Sequence, residues 1–185
     1  PTVAALVERA GGAALTTYLS LAGRYCVLMP NSPRGGGVSR KITNFKDRKR
    51  MKELISSLEV PSGMSVILRT AGVERTKVEI RRDLDYLLRQ WDSIRELTLK
   101  SQAPALIYEE GERIKRAMRD MYTRDIDEVL IGGEQGYRNA KDFTKMLMPS
   151  HAKRIQQSKE DDLPLFSRFH VESQINEIHE PIVQL

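Results

Sequence analysis

The stretch MSVILRTAGVERTKVEIRRDLDYLLRQWDSIRELTLK, residues 64–100, decides the fold. Met64 to Thr70 is an apolar, β-branched run that reads as a buried strand, and Ala71-Gly72 is a turn signal after it. From Thr76 the period changes. Leu84, Leu87, Leu88, Trp91, Ile94 and Leu97 recur at helical spacing and form one apolar stripe. Thr76 and Glu79 stand at the spacing of a capping box. A helix from Thr76 to about Lys100 follows, with Arg81, Arg82, Arg89 and Arg95 on its flanks and polar face, where arginines are most often simply solvated.

Upstream, Ala13 to Leu21 and Tyr25 to Met29 are β-like runs with Gly23 as a turn signal between them, so a hairpin is expected. Pro30 to Gly37 is a loop, because two prolines and three consecutive glycines propagate neither helix nor sheet, and Val38 to Ile42 reads as a short strand. Asn44 or Asp47 can cap a helix carrying Met51, Leu54, Ile55 and Leu58, which Pro61 and Gly63 end. Downstream, Pro104 breaks the chain and Ala105 to Tyr108 reads as a strand. Glu112 to Tyr122 is a helix with Ile114, Ala117, Met118 and Met121 on one side. Glu128 to Ile131 is a strand stopped by Gly132-Gly133. Gly136 to Met148 is a helix with Tyr137, Ala140, Phe143 and Leu147 inward, ended by Pro149. Lys159 to Pro164 is a polar loop, Leu165 to Phe169 a short extended piece, and Val171 to Glu180 a last helix carrying Ile175 and Ile178. The order is β-rich first and then alternating, which predicts an α+β (mixed α/β) fold with a soft boundary near Gln102-Ala103-Pro104.

The 185 residues suffice for one sizeable domain or two small ones. With 30 Lys and Arg against 25 Asp and Glu, the net charge of +5 points to polyanions: RNA, DNA or an anionic membrane. Cys26 is the one cysteine, so no internal disulfide forms, and its apolar neighbours make it a buried core residue rather than a nucleophile. No apolar stretch approaches the roughly 20 residues of a membrane helix, and no signal peptide is visible, so a cytoplasmic setting is the default. A start at Pro1 suggests a piece of a longer chain.

Catalytic chemistry is hard to find in these residues. Asp83 and Asp85 point about 200° apart on a helix and cannot share a metal. Asp125 and Asp127 precede a strand and read as turn and capping residues, with half of a metal site as the sharper option. Glu109-Glu110 and Asp161-Asp162 read as surface loops, and His151, His170 and His179 are scattered. Three loop features carry more. Pro33-Arg34-Gly35-Gly36-Gly37-Val38-Ser39-Arg40-Lys41 joins bare backbone to positive charge, a combination suited to anions. Arg69-Thr70-Ala71-Gly72 puts a guanidinium and a hydroxyl at a strand end. Gly23, near Val27, sits where a hairpin turn could present backbone N–H groups. The bland alternatives are an Arg69 ion pair and a Gly23 that merely allows the turn.

Together these segments resemble the RNase E/G family. The matching text is GAALTT (12–17), LAG (21–23), YCVLMPN (25–31), PRGGGVSR (33–40), Gly63 with LRTAG (68–72), Trp91, PLF (164–166) and Glu172 with Gln174-Ile175. The resemblance implies three parts: residues 1–17 as a remnant of an oligonucleotide-binding barrel, 18–103 as an RNA 5′-sensor, and 104–185 as part of an RNase H-like structural subdomain. It implies that Gly23 and Val27, through backbone, and Arg69 and Thr70, through side chains, bind the 5′-monophosphate of single-stranded RNA. Arg34, Arg40 and Lys41 would follow nearby backbone phosphates. The sequence departs from the family at Glu8 to Gly12, where a usual lysine is lacking, so no barrel contact is assigned. No catalytic residue or metal ligand is expected in this chain. The family's paired aspartates and its zinc-binding cysteines are expected beyond Leu185, so Mg and Zn belong to the longer protein. So do a homo-oligomer, an RNA-degradation assembly and any membrane association. The competing expectations are a structural or oligomerising module without end-sensing, and a self-contained nuclease using Asp125 and Asp127.

Overall fold

The structure, a computed structural model, describes residues 5–9, 12–108, 113–158 and 163–180. Two compact units divide it, Pro1–Met121 and Tyr122–Leu185.

In the first unit β1 (Ala5–Arg9) and β2 (Gly12–Thr16) form an antiparallel hairpin with Ala5 opposite Thr16. The expected Ala13–Leu21 run is therefore divided. Its first half pairs backwards with β1, and only β3 (Leu21–Ala22) pairs with β4 (Cys26–Met29) around Gly23. The reason is Asn31. Its amide accepts from the Leu19 N–H at 3.0 Å and donates to the Thr17 carbonyl at 2.5 Å, which satisfies the intervening backbone without a ladder.

β4 pairs antiparallel with β6 (Ser65–Leu68), and β5 (Gly37–Val38) lies parallel on the other side of β6, giving the order β3-β4-β6-β5. The expected Val38–Ile42 strand shrinks to this two-residue piece, because the Arg48 guanidinium takes the Ser39 and Ile42 carbonyls at 2.9 and 2.8 Å. α1 (Phe45–Ser56) starts at Asn44 rather than Asp47, with the Asn44 side chain accepting from the Lys46 and Asp47 N–H groups. After β6 a 3₁₀ turn, Thr70–Gly72, leads into α2 (Lys77–Lys100), whose capping box of Thr76 and Glu79 is fully formed.

The core lies where α2 and α1 meet the sheet. Leu28, Met51, Leu68, Ile80, Leu84 and Leu87 are buried there. A fully buried leucine contributes about 1.5–3 kcal/mol, so the stripe of α2 is a principal tie between helix and sheet. The stripe ends at Ile94; Leu97 is 44% exposed.

The Ala105–Tyr108 strand does not form, and these residues are irregular. Ile107 packs on the core while Leu106 is 77% exposed, and the Tyr108 hydroxyl accepts from Gln90 at 2.9 Å. α3 (Arg113–Asp120) follows. Of its expected apolar side only Met118 is buried, and Met121 is 74% exposed.

The second unit has β7 (Val129–Ile131) parallel to β8 (Ile155–Gln157), a strand that apolar periodicity did not reveal. α4 (Glu134–Leu147) starts two residues before the expected Gly136 and buries Ala140, Phe143 and Leu147 as expected, with Tyr137 half-buried. A 3₁₀ segment, Pro149–Arg154, connects α4 to β8. Leu165 to Phe169 is helical rather than extended: α5 (Leu165–Arg168) closes with the Arg168 N–H on the Pro164 carbonyl at 3.0 Å. α6 (Val171–Ile178) leaves Ile175 and Ile178 exposed. Glu109-Glu110, Glu112, Asp161-Asp162 and most of the Lys159–Pro164 loop lie outside the described residues. No described helix is long and apolar enough to cross a membrane.

Candidate nucleic-acid interface

The hairpin between β3 and β4 is built around a buried carboxylate. Asp83 lies on the inward face of α2 and is fully buried. Its Oδ1 accepts from the Arg24 N–H at 3.0 Å, and its Oδ2 accepts from the Tyr25 and Cys26 N–H groups at 2.7 and 3.0 Å. The Cys26 thiol donates to Oδ2 at 3.4 Å. Burial pushes the Asp83 carboxyl up, and the amide bonds pull it back toward ionisation. Burial first, and then Asp83, push the Cys26 thiol far above its ordinary range, so it is an inert core group.

This overturns the expectation that the turn offers its amides to an outside anion. The amides of Arg24, Tyr25 and Cys26 already have an acceptor inside the protein, the Asp83 carboxyl group, and the Gly23 N–H donates to the Cys26 carbonyl at 2.9 Å. Gly23 is needed for space: a Cβ there would lie 2.5 Å from Asp83 Oδ2.

Arg69 follows β6, and its N–H donates to the Tyr25 carbonyl at 2.8 Å. That bond sets the alternation of the antiparallel ladder, so the backbone of Val27, opposite Ile67, faces β6. The Arg69 guanidinium turns back to the hairpin. Its Nη1 donates to the Gly23 carbonyl, and its Nη2 lies 3.2 Å from Asp120 Oδ1 on α3. Thr70 is exposed beside it at the start of the 3₁₀ turn. Gly23, Arg69 and Thr70 thus form one local group, with Val27 in the neighbouring strand.

Sequence reading missed the other side of this group. Arg119 grips Asp120 with Nε on Oδ1 at 3.1 Å and Nη2 on Oδ2 at 2.9 Å, while its Nη1 donates to the Ala22 carbonyl at 3.1 Å. The Arg119 fork is the main cause that holds the Asp120 carboxyl below the usual carboxylate range, and Arg69 adds to it. Arg24 fixes the same helix by donating to the Met118 carbonyl at 2.8 Å. Nothing in the local pattern of 113–120 distinguishes this pair from a solvated helix end.

Arg34, Arg40 and Lys41 are exposed around the glycine loop. Gly36 lies close against β6, since a Cβ there would be only 3.0 Å from the Ser65 Cβ and the Val66 carbonyl. The loop therefore lies tight on β6 with its cations outward.

The other acidic and imidazole groups have local roles. Asp85 pairs with Arg81 at 2.9 Å. Asp125 and Asp127 are exposed ahead of β7, and the Thr123 hydroxyl holds the Asp125 carboxyl low. His151 Nδ1 meets the Tyr122 hydroxyl at 2.8 Å. Among the described residues no three His, Cys, Asp or Glu side chains converge as a metal site.

Known proteins place the chain. The sequence model of the Ribonuclease E/G family matches residues 20–185. The chain is similar to Ribonuclease E of Haemophilus influenzae, with 44% identity across 94% of this chain and 18% of that protein. For Ribonuclease E of Escherichia coli the values are 42%, 94% and 16%. For Ribonuclease G of Escherichia coli they are 29%, 94% and 35%. The chain thus spans a small part of the relatives it matches, and it belongs to the Ribonuclease E/G family.

Proposed function

We propose that this chain is the RNA-binding, 5′-monophosphate-sensing part of an endoribonuclease that cleaves single-stranded RNA in RNA processing and decay. The observation that carries this is the Arg69–Thr70 pair beside Gly23: a guanidinium anchored on main chain next to an exposed hydroxyl. A terminal phosphate presents nearly two negative charges and three acceptor oxygens. A guanidinium fork matches two such oxygens, and a hydroxyl serves a third. Gly23 and Val27 take part through the main chain, Gly23 by fixing Arg69 and Val27 as the adjoining strand. Arg34, Arg40 and Lys41 follow the nucleotides behind the end by phosphate contacts that carry little base preference.

On this proposal residues 18–103 are the sensor, with 1–17 and 104–185 as flanking barrel and RNase H-like parts. Cleavage, and with it the metal chemistry, belongs to the whole protein, as do its oligomerisation and its place in an RNA-degradation assembly. A second role is favoured by the exposed Leu15, Leu99, Leu106 and Met121, which suit docking onto other parts of the protein without any end-sensing.

The test is binding of a short single-stranded RNA carrying either a 5′-monophosphate or a 5′-hydroxyl, read by fluorescence anisotropy. The phosphorylated RNA should bind about 10–100-fold tighter, the range expected for charge-assisted bonds worth about 1.5–3 kcal/mol. Arg69→Ala should remove most of that ratio and Thr70→Val part of it. Equal affinity of the unaltered chain for both RNAs refutes end-sensing, and no salt-sensitive binding at all favours the docking role.

A further inference from the structure

We propose that Asp120 is a positioning residue of this site, an internal carboxylate that holds the Arg69 fork ready for an RNA 5′-phosphate and is itself held by Arg119. The proposal deepens the 5′-end role and rests on it.

Three features point the same way. First, the chain of contacts has a fixed end and an open end. Arg119, whose side chain is 11% exposed, grips both oxygens of Asp120 and is anchored on the Ala22 carbonyl. Arg69, 33% exposed, shares only Oδ1. Second, the arrangement leaves Arg69 with capacity. A guanidinium has five N–H donors. Arg69 directs one at the Gly23 carbonyl and one at Asp120, so about three remain for an incoming anion. A fork pinned at two points gives up less rotamer freedom on binding than a free one. Third, local helix energetics do not account for Asp120. It is the last residue of α3, where a carboxylate opposes the helix dipole.

The rival role is a displaceable competitor that occupies the place of the phosphate. The geometry disfavours it. Asp120 is locked to a nearly buried arginine through both oxygens, and leaving Arg69 would not release it from Arg119.

The experiment compares affinities of the whole chain for 5′-monophosphate and 5′-hydroxyl RNA in Asp120→Ala, Asp120→Asn, Arg69→Ala and the Asp120→Ala/Arg69→Ala pair. Asp120→Ala should lower the affinity ratio by about five- to tenfold, and Asp120→Asn, which keeps one acceptor oxygen, by less. In the Arg69→Ala background the second change should lower the ratio no further, because Asp120 acts through Arg69. Tighter binding of the phosphorylated RNA by Asp120→Ala makes Asp120 a competitor and overturns the proposal. Equal weakening for both RNAs, with the ratio intact, marks a merely structural role and also overturns it. If Arg69→Ala abolishes the ratio and neither Asp120 variant moves it, the positioning role alone falls. If the unaltered chain never discriminates, the 5′-end role falls and this one with it. Should Asp120→Ala fail to melt cooperatively, Asp120→Asn carries the same comparison.

Discussion

Asp83 carries a carboxyl group into the core and satisfies it with the main chain of a hairpin 57 to 59 residues away. The contrast with Asp85, two positions on and paired at the surface with Arg81, shows how one helix turns two neighbouring carboxylates to opposite ends of the polarity scale. Asp83→Asn is a sharp probe of this arrangement. The amide nitrogen would replace one of two oxygens that accept from three N–H groups and a thiol, setting donor against donor. A loss of about 2–4 kcal/mol is expected, from lost hydrogen bonds worth about 0.5–1.5 kcal/mol each and an unsatisfied buried donor costing about 1–3 kcal/mol. Urea unfolding followed by the single tryptophan, Trp91 on α2, measures it. A loss under about 0.5 kcal/mol, the range of an ordinary surface change, would show that the hairpin does not depend on this carboxylate. The burial of Asp83 was legible in one respect: it falls three after Ile80 and four before Leu87, on the apolar face. Its polar identity hid that position, because apolar periodicity counts only apolar residues.

α2 was legible almost to the residue, since its stripe and its capping box are written within 25 consecutive positions, Thr76 to Lys100. Short strands were less so. β8 and the division of the Ala13–Leu21 run depend on partners far along the chain and on a single Asn31 side chain, neither of which has a local signature. α3 shows the same limit for the site. Arg69 and Thr70 stand out at a strand end, whereas Asp120, gripped by Arg119, meets Arg69 only because the fold brings a helix back to a residue 51 positions earlier. The docking of α3 should be pH-dependent with a definite sign. Arg119, and after it Arg69, hold the Asp120 carboxyl low. An acid with a lowered folded-state pKa stabilises the folded state in full above the unfolded carboxyl value of about 3.9, and the contribution fades as the pH falls through the lowered value. Urea midpoints of the unaltered chain and Asp120→Asn should therefore differ at neutral pH and converge on acidification below the carboxylate range. A gap that persists in acid would mean that the carboxylate charge contributes nothing to the docking.

Across the whole molecule the net charge of +5 is modest, so its placement matters more than its size. The cations of the glycine loop, Arg34, Arg40 and Lys41, are exposed, whereas the Arg69 guanidinium is anchored on the Gly23 carbonyl and Asp120. They are suited to contacts that any phosphate can satisfy. On the proposed function, Arg69 with Thr70 and the loop cations should therefore separate by salt and by RNA end. For single-stranded nucleic acid, each phosphate neutralised contributes about 0.7 to the slope of log K against log salt. Replacing Arg34, Arg40 and Lys41 with alanine together should flatten that slope by about 2 and weaken 5′-monophosphate and 5′-hydroxyl RNA alike, leaving their ratio in place. Arg69→Ala should do the reverse: a large loss of the ratio with a slope change of about 1 at most. The measurement is an anisotropy titration of both RNAs over a series of salt concentrations. If the triple replacement changes the ratio and leaves the slope unmoved, the loop belongs to the recognition of the RNA end, and the division of labour between loop and fork is wrong.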